Sequence, residues 1–203
     1  MSPLLRILPN LLTGSRLFFA AGFVILLYLT NVPPDGILAP SDVVKLDWAF
    51  VLFVVAGITD MLDGPLARRL GVTSQFGRSF DPFVDKILVA GGFILLALFP
   101  ADITAIHWWM VGVVLAREVL VTILRAISES QGRDFAATWA GKLKMFLQSF
   151  AIGTVIMYIA HFQDQTWAIF LRNLSVWIAV IFTAVSALIY LPRLKRPRPT
   201  SRK

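Results

Sequence analysis

Apolar residues in this chain come in long unbroken runs, unlike the strict alternation of a half-buried strand or the one-sided stripe of a soluble helix. A membrane-crossing helix needs about 20 mostly apolar residues. Six segments meet that requirement, roughly 11–30, 47–69, 80–99, 106–128, 143–161 and 167–190. "NVPPDG" after the first run reads as a turn, and Pro33, Pro34, Gly36 and Pro40 mark 31–46 as a loop. "FPAD" separates the third and fourth runs, and "HFQDQ" the fifth and sixth. No small-residue cleavage site follows the first run, so it reads as a span and not a secretory signal. The pattern predicts an all-α integral membrane protein with six transmembrane helices. One domain covers 1–190, and "LPRLKRPRPTSRK" forms a basic tail over 191–203.

Composition supports this. Of 203 residues, 57% are hydrophobic and 15% charged, with a mean hydropathy of +0.75, too little polar surface for a soluble domain of this size. There is no cysteine, which removes disulfides and thiolate metal sites. His107 and His161 are far apart and fall at span ends, against a zinc cluster. A metal here would be held by oxygen, which favours magnesium or manganese. The net charge of +7 does not point to nucleic acid, because the basic residues fall at the ends of apolar runs. With six spans the termini share a side. Lys45 and Arg172 are the only basic residues assigned to the opposite side, out of 19. The positive-inside rule then puts both termini and the 69–79 and 129–142 loops in the cytoplasm.

The chemistry concentrates in "DMLDGPLARRLGVTSQFGRSFDPFVDK", residues 60–86. Asp60, Asp63, Gly64 and Ala67 stand at i, i+3, i+4 and i+7, one stripe of the second span, and Asp81 and Asp85 at i, i+4 open the third. The short connection, with Gly71 and Gly77 as breakers, makes the two helices antiparallel neighbours, so four carboxylates can converge at the cytoplasmic edge. A charge at a helix centre costs about 2.5–3.5 kcal/mol on insertion scales, less near the interface. Four like charges together cost more. Two divalent cations would cancel them and could clamp a transferring phosphoryl group. Gly64 and Ala67 allow close approach, and Arg68 can meet a phosphate oxygen. The plainer reading is interfacial charge paired with Arg68, Arg69, Arg78 and Lys86. Four aspartates at helical spacing beside a glycine and an alanine argue against it.

Asp60-x2-Asp63-Gly64-x2-Ala67-Arg68-x8-Gly77-x3-Asp81-x3-Asp85 resembles the CDP-alcohol phosphotransferase signature at every fixed position. "NLLTGSR", with Asn10, Thr13 and Arg16, is similar to the N-terminal motif of the bacterial phosphatidylglycerophosphate synthase branch. "AREVLVTILR" and "GKLKMFLQ" resemble that branch's fourth- and fifth-span motifs, although Met145 stands where threonine is frequent. The resemblance implies a six-helix bundle, often a homodimer, with a cytoplasm-facing cavity. It implies transfer of a phosphatidyl group from CDP-diacylglycerol to an alcohol with release of CMP. Asp60, Asp63 and Asp81 would then hold divalent metal (two ions of magnesium or manganese), with Asp85 completing the site and activating the acceptor hydroxyl. Asn10, Thr13, Gly64, Ala67, Arg68 and Gly77 would line the pocket for the CDP-diacylglycerol head.

The acceptor is read from the fourth and fifth spans. Glu118, Thr122 and Arg125 form an i, i+4, i+7 polar stripe, with Arg117 beside it. Arg133, Lys142 and Lys144 follow, with Gln148 one turn beyond Lys144. Snorkelling anchors explain Arg133 and the tail. They explain Arg117 and Arg125 poorly, because both interrupt an apolar helix. Arg117, Arg125, Lys142 and Lys144 would suit an acceptor that brings its own phosphate, and the motif resemblance favours sn-glycerol 3-phosphate. Inositol phosphate, serine or phosphatidylglycerol would keep the chemistry and change the acceptor. An ion-coupled transporter is the alternative of another class. It would be expected to show repeated halves and midplane acids, and this chain has neither.

Overall fold

A computed structural model describes the backbone of residues 3–70, 75–130 and 139–188, and the side chains of 14–60, 84–128, 130, 139 and 141–187. These residues form seven helices and no strand. They are α1 (Pro3–Tyr28), α2 (Pro40–Leu70), α3 (Gln75–Leu96), α4 (Ala101–Thr104), α5 (Trp108–Ser130), α6 (Trp139–His161) and α7 (Thr166–Leu188). The six long helices correspond to the six apolar runs. The 191–203 tail lies outside the described residues.

The boundaries differ from the hydropathy reading in instructive ways. The 31–46 loop is shorter than expected, because α2 begins at Pro40. Proline is tolerated at a first helical position, where its missing N–H would have no intrahelical partner, so it starts this helix instead of prolonging the loop. The third connection contains a single extra turn, α4, closed by Ala105 in the left-handed conformation (φ 58°), its N–H donating to Ala101 O at 2.8 Å. Arg172, counted above with the outer-side charges although it falls inside the 167–190 run, lies within α7 and is buried.

The packing runs as a closed ring: α1 on α2, α2 on α6, α6 on α7, α7 on α5, α5 on α3 and α3 back on α1, with α3 and α6 also touching across the middle. Ala20, Phe23, Phe53, Ala56, Val84, Phe93, Ile152 and Ile156 fill the interior. Close approach requires small residues. A Cβ on Gly22 would sit 2.8 Å from Leu52 Cδ1, and one on Gly92 would sit 2.9 Å from Ile152 Cδ1. The outward faces are apolar as well, with Phe18, Ile25, Phe146, Phe170, Trp177 and Ile181 all exposed, the arrangement expected where the surrounding solvent is lipid. Among the described residues, 141–161 and 166–187 are long and apolar enough to cross a membrane.

The end of the ring that carries the 29–39, 97–107 and 162–165 connections is tied by specific bonds. Arg172 donates from Nη1 to Asp102 O (3.0 Å) and Ile103 O, and stacks its guanidinium 4.4 Å from the Tyr158 ring centre. Gln163 Nε2 donates to Gly36 O at 2.9 Å, where a positive φ of 76° suits glycine. Asp42 accepts from Lys45 Nζ (2.8 Å) and the Asn31 N–H (3.2 Å). These two bonds, the Lys45 one foremost, hold its carboxyl below the usual carboxylate range. His161 Nε2 meets Asp47 Oδ1 at 2.6 Å across α6 and α2. This end is latched, which leaves the opposite end for chemistry.

Candidate active site

α1 packs against both α2 and α3, whose motif ends point to the opposite end of the ring. The α2 helix continues unbroken to Leu70, so Asp60, Asp63, Gly64 and Ala67 keep the helical register that puts them on one face, and Arg68 follows one position on. Gly77, Asp81 and Asp85 lie on α3, and Asn10 and Thr13 on α1, which packs on both other helices. The side chains of Asn10, Thr13, Asp63, Gly64, Ala67, Arg68, Gly77 and Asp81 lie outside the described residues.

Two of the four aspartates have described side chains. Asp60 Oδ1 accepts from Arg16 Nη1 at 2.7 Å. Arg16, on α1, has no solvent exposure at all, whereas the Asp60 side chain is about one-third exposed (36%). A buried guanidinium without an anion would be strongly destabilising, so this pair aligns α1 against α2 and aims Asp60 from a fixed base. Asp85 is half-buried on α3. Asp60 and Asp85 stand on two helices that both pack on α1; among the described residues, no three potential metal ligands come together.

A second polar cluster is shared by α5, α6 and α7. Glu118 Oε1 accepts from Arg117 Nη1 at 3.0 Å and from Lys144 Nζ at short range, so one carboxylate oxygen holds two cations. Both cations are buried, Arg117 at 7% exposure and Lys144 at 4%. Arg117 Nε also donates to Ser186 Oγ of α7 (3.4 Å), whose own proton goes to Thr183 O (2.8 Å). One turn deeper, Gln148 Nε2 donates to Thr183 Oγ1 (2.9 Å), which donates in turn to Ala179 O. Lys86, next to Asp85, donates to Thr122 Oγ1 at 3.1 Å and links α3 to α5. The i, i+4 spacing on α5 and α6 therefore builds one network across three helices.

Of the four cations expected to hold an acceptor phosphate, Arg117 and Lys144 come together on Glu118. Arg125 and Lys142 occupy exposed positions, Arg125 two turns further along α5. Four contributors were not given these roles from sequence. Arg16 was quoted within its motif without a role, although a cation flanked by apolar turns is itself a signal. Glu118 was read as part of a stripe and not as the hub. Thr183 and Ser186, at i, i+3 on α7, looked like ordinary small residues of an apolar span. A separate apolar cavity of about 400 Å³, lined by Phe50, Phe53, Phe150, Met157 and Trp167 among others, sits nearer the latched end between α2, α6 and α7.

Comparison with known proteins gives these features a context. The family model described as CDP-alcohol phosphatidyltransferase matches residues 6–185. A Bacillus subtilis protein named CDP-diacylglycerol–glycerol-3-phosphate 3-phosphatidyltransferase is 34% identical, covering 92% of this chain and 94% of its own. Proteins of the same name from Rickettsia typhi and Shigella flexneri are 31% and 28% identical, covering 93% and 91% of this chain and 97% and 92% of theirs. On the match over 6–185 and the identity to these relatives, the chain belongs to the CDP-alcohol phosphatidyltransferase family.

Proposed function

We propose that this integral membrane protein transfers the phosphatidyl group of CDP-diacylglycerol to sn-glycerol 3-phosphate, giving phosphatidylglycerophosphate and CMP. The observation that carries the choice of acceptor is the pair of buried cations, Arg117 and Lys144, held together on Glu118. A neutral acceptor would call for hydrogen-bonding groups and not for two cations taken out of solvent. A phosphate dianion repays their burial with charge-assisted bonds. The relatives named for this reaction support the same choice.

In this reading Asp60, Asp63, Asp81 and Asp85 hold divalent metal, two ions of magnesium or manganese, in keeping with a family that uses such ions. Bound there, the ions would neutralise the donor pyrophosphate and stabilise charge on its phosphorus. Asn10, Thr13, Gly64, Ala67, Arg68 and Gly77 line the CDP pocket, with Gly64 and Ala67 leaving room for the head group. Arg16 keeps Asp60 in register. Arg117 and Lys144, with Arg125 and Lys142 toward the rim, take the acceptor phosphate. That grip presents the primary hydroxyl to Asp85, which takes its proton as the oxygen forms a bond to the β-phosphorus and the bond to CMP breaks. The acyl chains stay in lipid throughout. The distribution of basic residues supports six crossings with termini and active site in the cytoplasm of a bacterial-type membrane.

Purified protein in nanodiscs, given CDP-diacylglycerol and magnesium or manganese, should release CMP only when glycerol 3-phosphate is added. Release driven instead by inositol phosphate, serine or phosphatidylglycerol would overturn the acceptor assignment.

A further inference from the structure

The Arg117–Glu118–Lys144 cluster raises a question that the proposed reaction leaves open. If two cations serve a phosphate, a carboxylate on both of them should be a competitor. The geometry says otherwise. Both cations reach the same oxygen, Oε1, so their nitrogens are held side by side and on one side of the carboxylate. A lysine ammonium has three donors, and one is directed at Glu118. Arg117 is anchored a second time, through Nε to Ser186 Oγ, and that hydroxyl is fixed by its own bond to Thr183 O. Without Glu118, two buried like charges on facing helices would repel and separate. With it, they form a preset pair of net charge +1 when Glu118 is counted, still able to attract a dianion.

We infer that Glu118 is a positioning residue for the acceptor: its carboxylate and the Ser186 hydroxyl set the spacing of Arg117 and Lys144 that receives the phosphate. This rests on the glycerol 3-phosphate reading. Glu118 acts through Arg117 and Lys144, the two cations it contacts, so its effect belongs in acceptor binding. α7 takes part as well: it supplies no cation here, only the Ser186 hydroxyl that anchors one.

The test uses the full-length enzyme in nanodiscs, with CMP release as the readout. Glu118→Gln keeps size and an acceptor oxygen but removes the charge. It should raise the glycerol 3-phosphate KM by roughly tenfold or more. Saturated kcat and CDP-diacylglycerol binding should stay within about twofold of wild type, on the same scale. Glu118→Asp, which restores the charge, should recover most of the loss. Ser186→Ala should raise the same KM by a smaller factor without touching any charge. Thermal unfolding of each variant identifies one that fails to fold, and Ser186→Ala then carries the test. Unchanged acceptor KM in Glu118→Gln and Ser186→Ala, or equal loss of donor and acceptor binding in folded variants, would overturn the inference. A wild-type enzyme with no glycerol 3-phosphate-dependent release would instead overturn the acceptor reading on which it rests.

Discussion

Lys144→Met is the sharpest perturbation of the acceptor site. Methionine is unbranched, apolar and of similar length, so it fits a position only 4% exposed without leaving a void. Glu118 is not stranded by the change, because Arg117 still reaches it at 3.0 Å. The stability loss should therefore stay below the ~3–5 kcal/mol of a buried charge left alone. Binding loses more selectively. One hydrogen bond between charged groups is worth about 1.5–3 kcal/mol. Its removal should weaken glycerol 3-phosphate by roughly 10- to 150-fold. The assay is CMP release at saturating CDP-diacylglycerol across an acceptor titration, with donor binding measured separately. Arg125→Ala, further out and exposed, should have a smaller effect in the same direction. An unaltered acceptor KM in Lys144→Met, or donor binding lost in parallel with it, would refute the reasoning.

Further outcomes follow from other residues. Asp60→Asn, Asp63→Asn and Asp81→Asn should each abolish turnover in protein that still inserts, and chelation should do so reversibly; near wild-type activity in any of them would contradict the metal assignment. Asp85→Asn should lower kcat by ~10²–10⁴-fold while donor binding survives. Arg172→Met removes the bonds that tie α4 to α7 and should cost ~2–3 kcal/mol of stability with little change in KM, as read by thermal unfolding in detergent. The Asp42 carboxyl is held below its ordinary value, so its stabilising contribution is complete above about pH 4 and fades as the pH falls further; Asp42→Asn should flatten that acid limb. A cysteine at Ser74 should label only from the cytoplasmic side, and labelling from outside would reverse the orientation.

How far the fold was legible depended on what kind of signal each feature left. The six long helices were visible because a span of this length leaves an apolar run that nothing else produces. Their ends were less visible, since an interfacial turn such as Pro40–Leu46 is polar enough to pass for loop yet keeps its helical hydrogen bonds. Arg172 was misassigned for a related reason. A buried cation satisfied by Asp102 O, Ile103 O and the Tyr158 face has the same sequence appearance as a charge in a connection. Asp60, Asp63, Asp81 and Asp85 stood out by helical spacing, and the structure keeps them in register on α2 and α3. The partners of Arg117 did not. Glu118 was adjacent, but its sharing with Lys144 and the approach of Ser186 follow from α5, α6 and α7 being consecutive members of the ring, which no local pattern encodes.

The central claim is that this family member delivers its phosphatidyl group to an acceptor carrying a phosphate. One panel tests it directly: purified protein with CDP-diacylglycerol, magnesium or manganese, and either glycerol 3-phosphate, glycerol, inositol phosphate or serine, with CMP and the lipid product quantified together. The account predicts stoichiometric CMP and phosphatidylglycerophosphate with glycerol 3-phosphate, and little turnover with glycerol, which lacks the phosphate that Arg117 and Lys144 would hold. Turnover of glycerol at a rate and KM equal to those of glycerol 3-phosphate, or product only with inositol phosphate or serine, would contradict it.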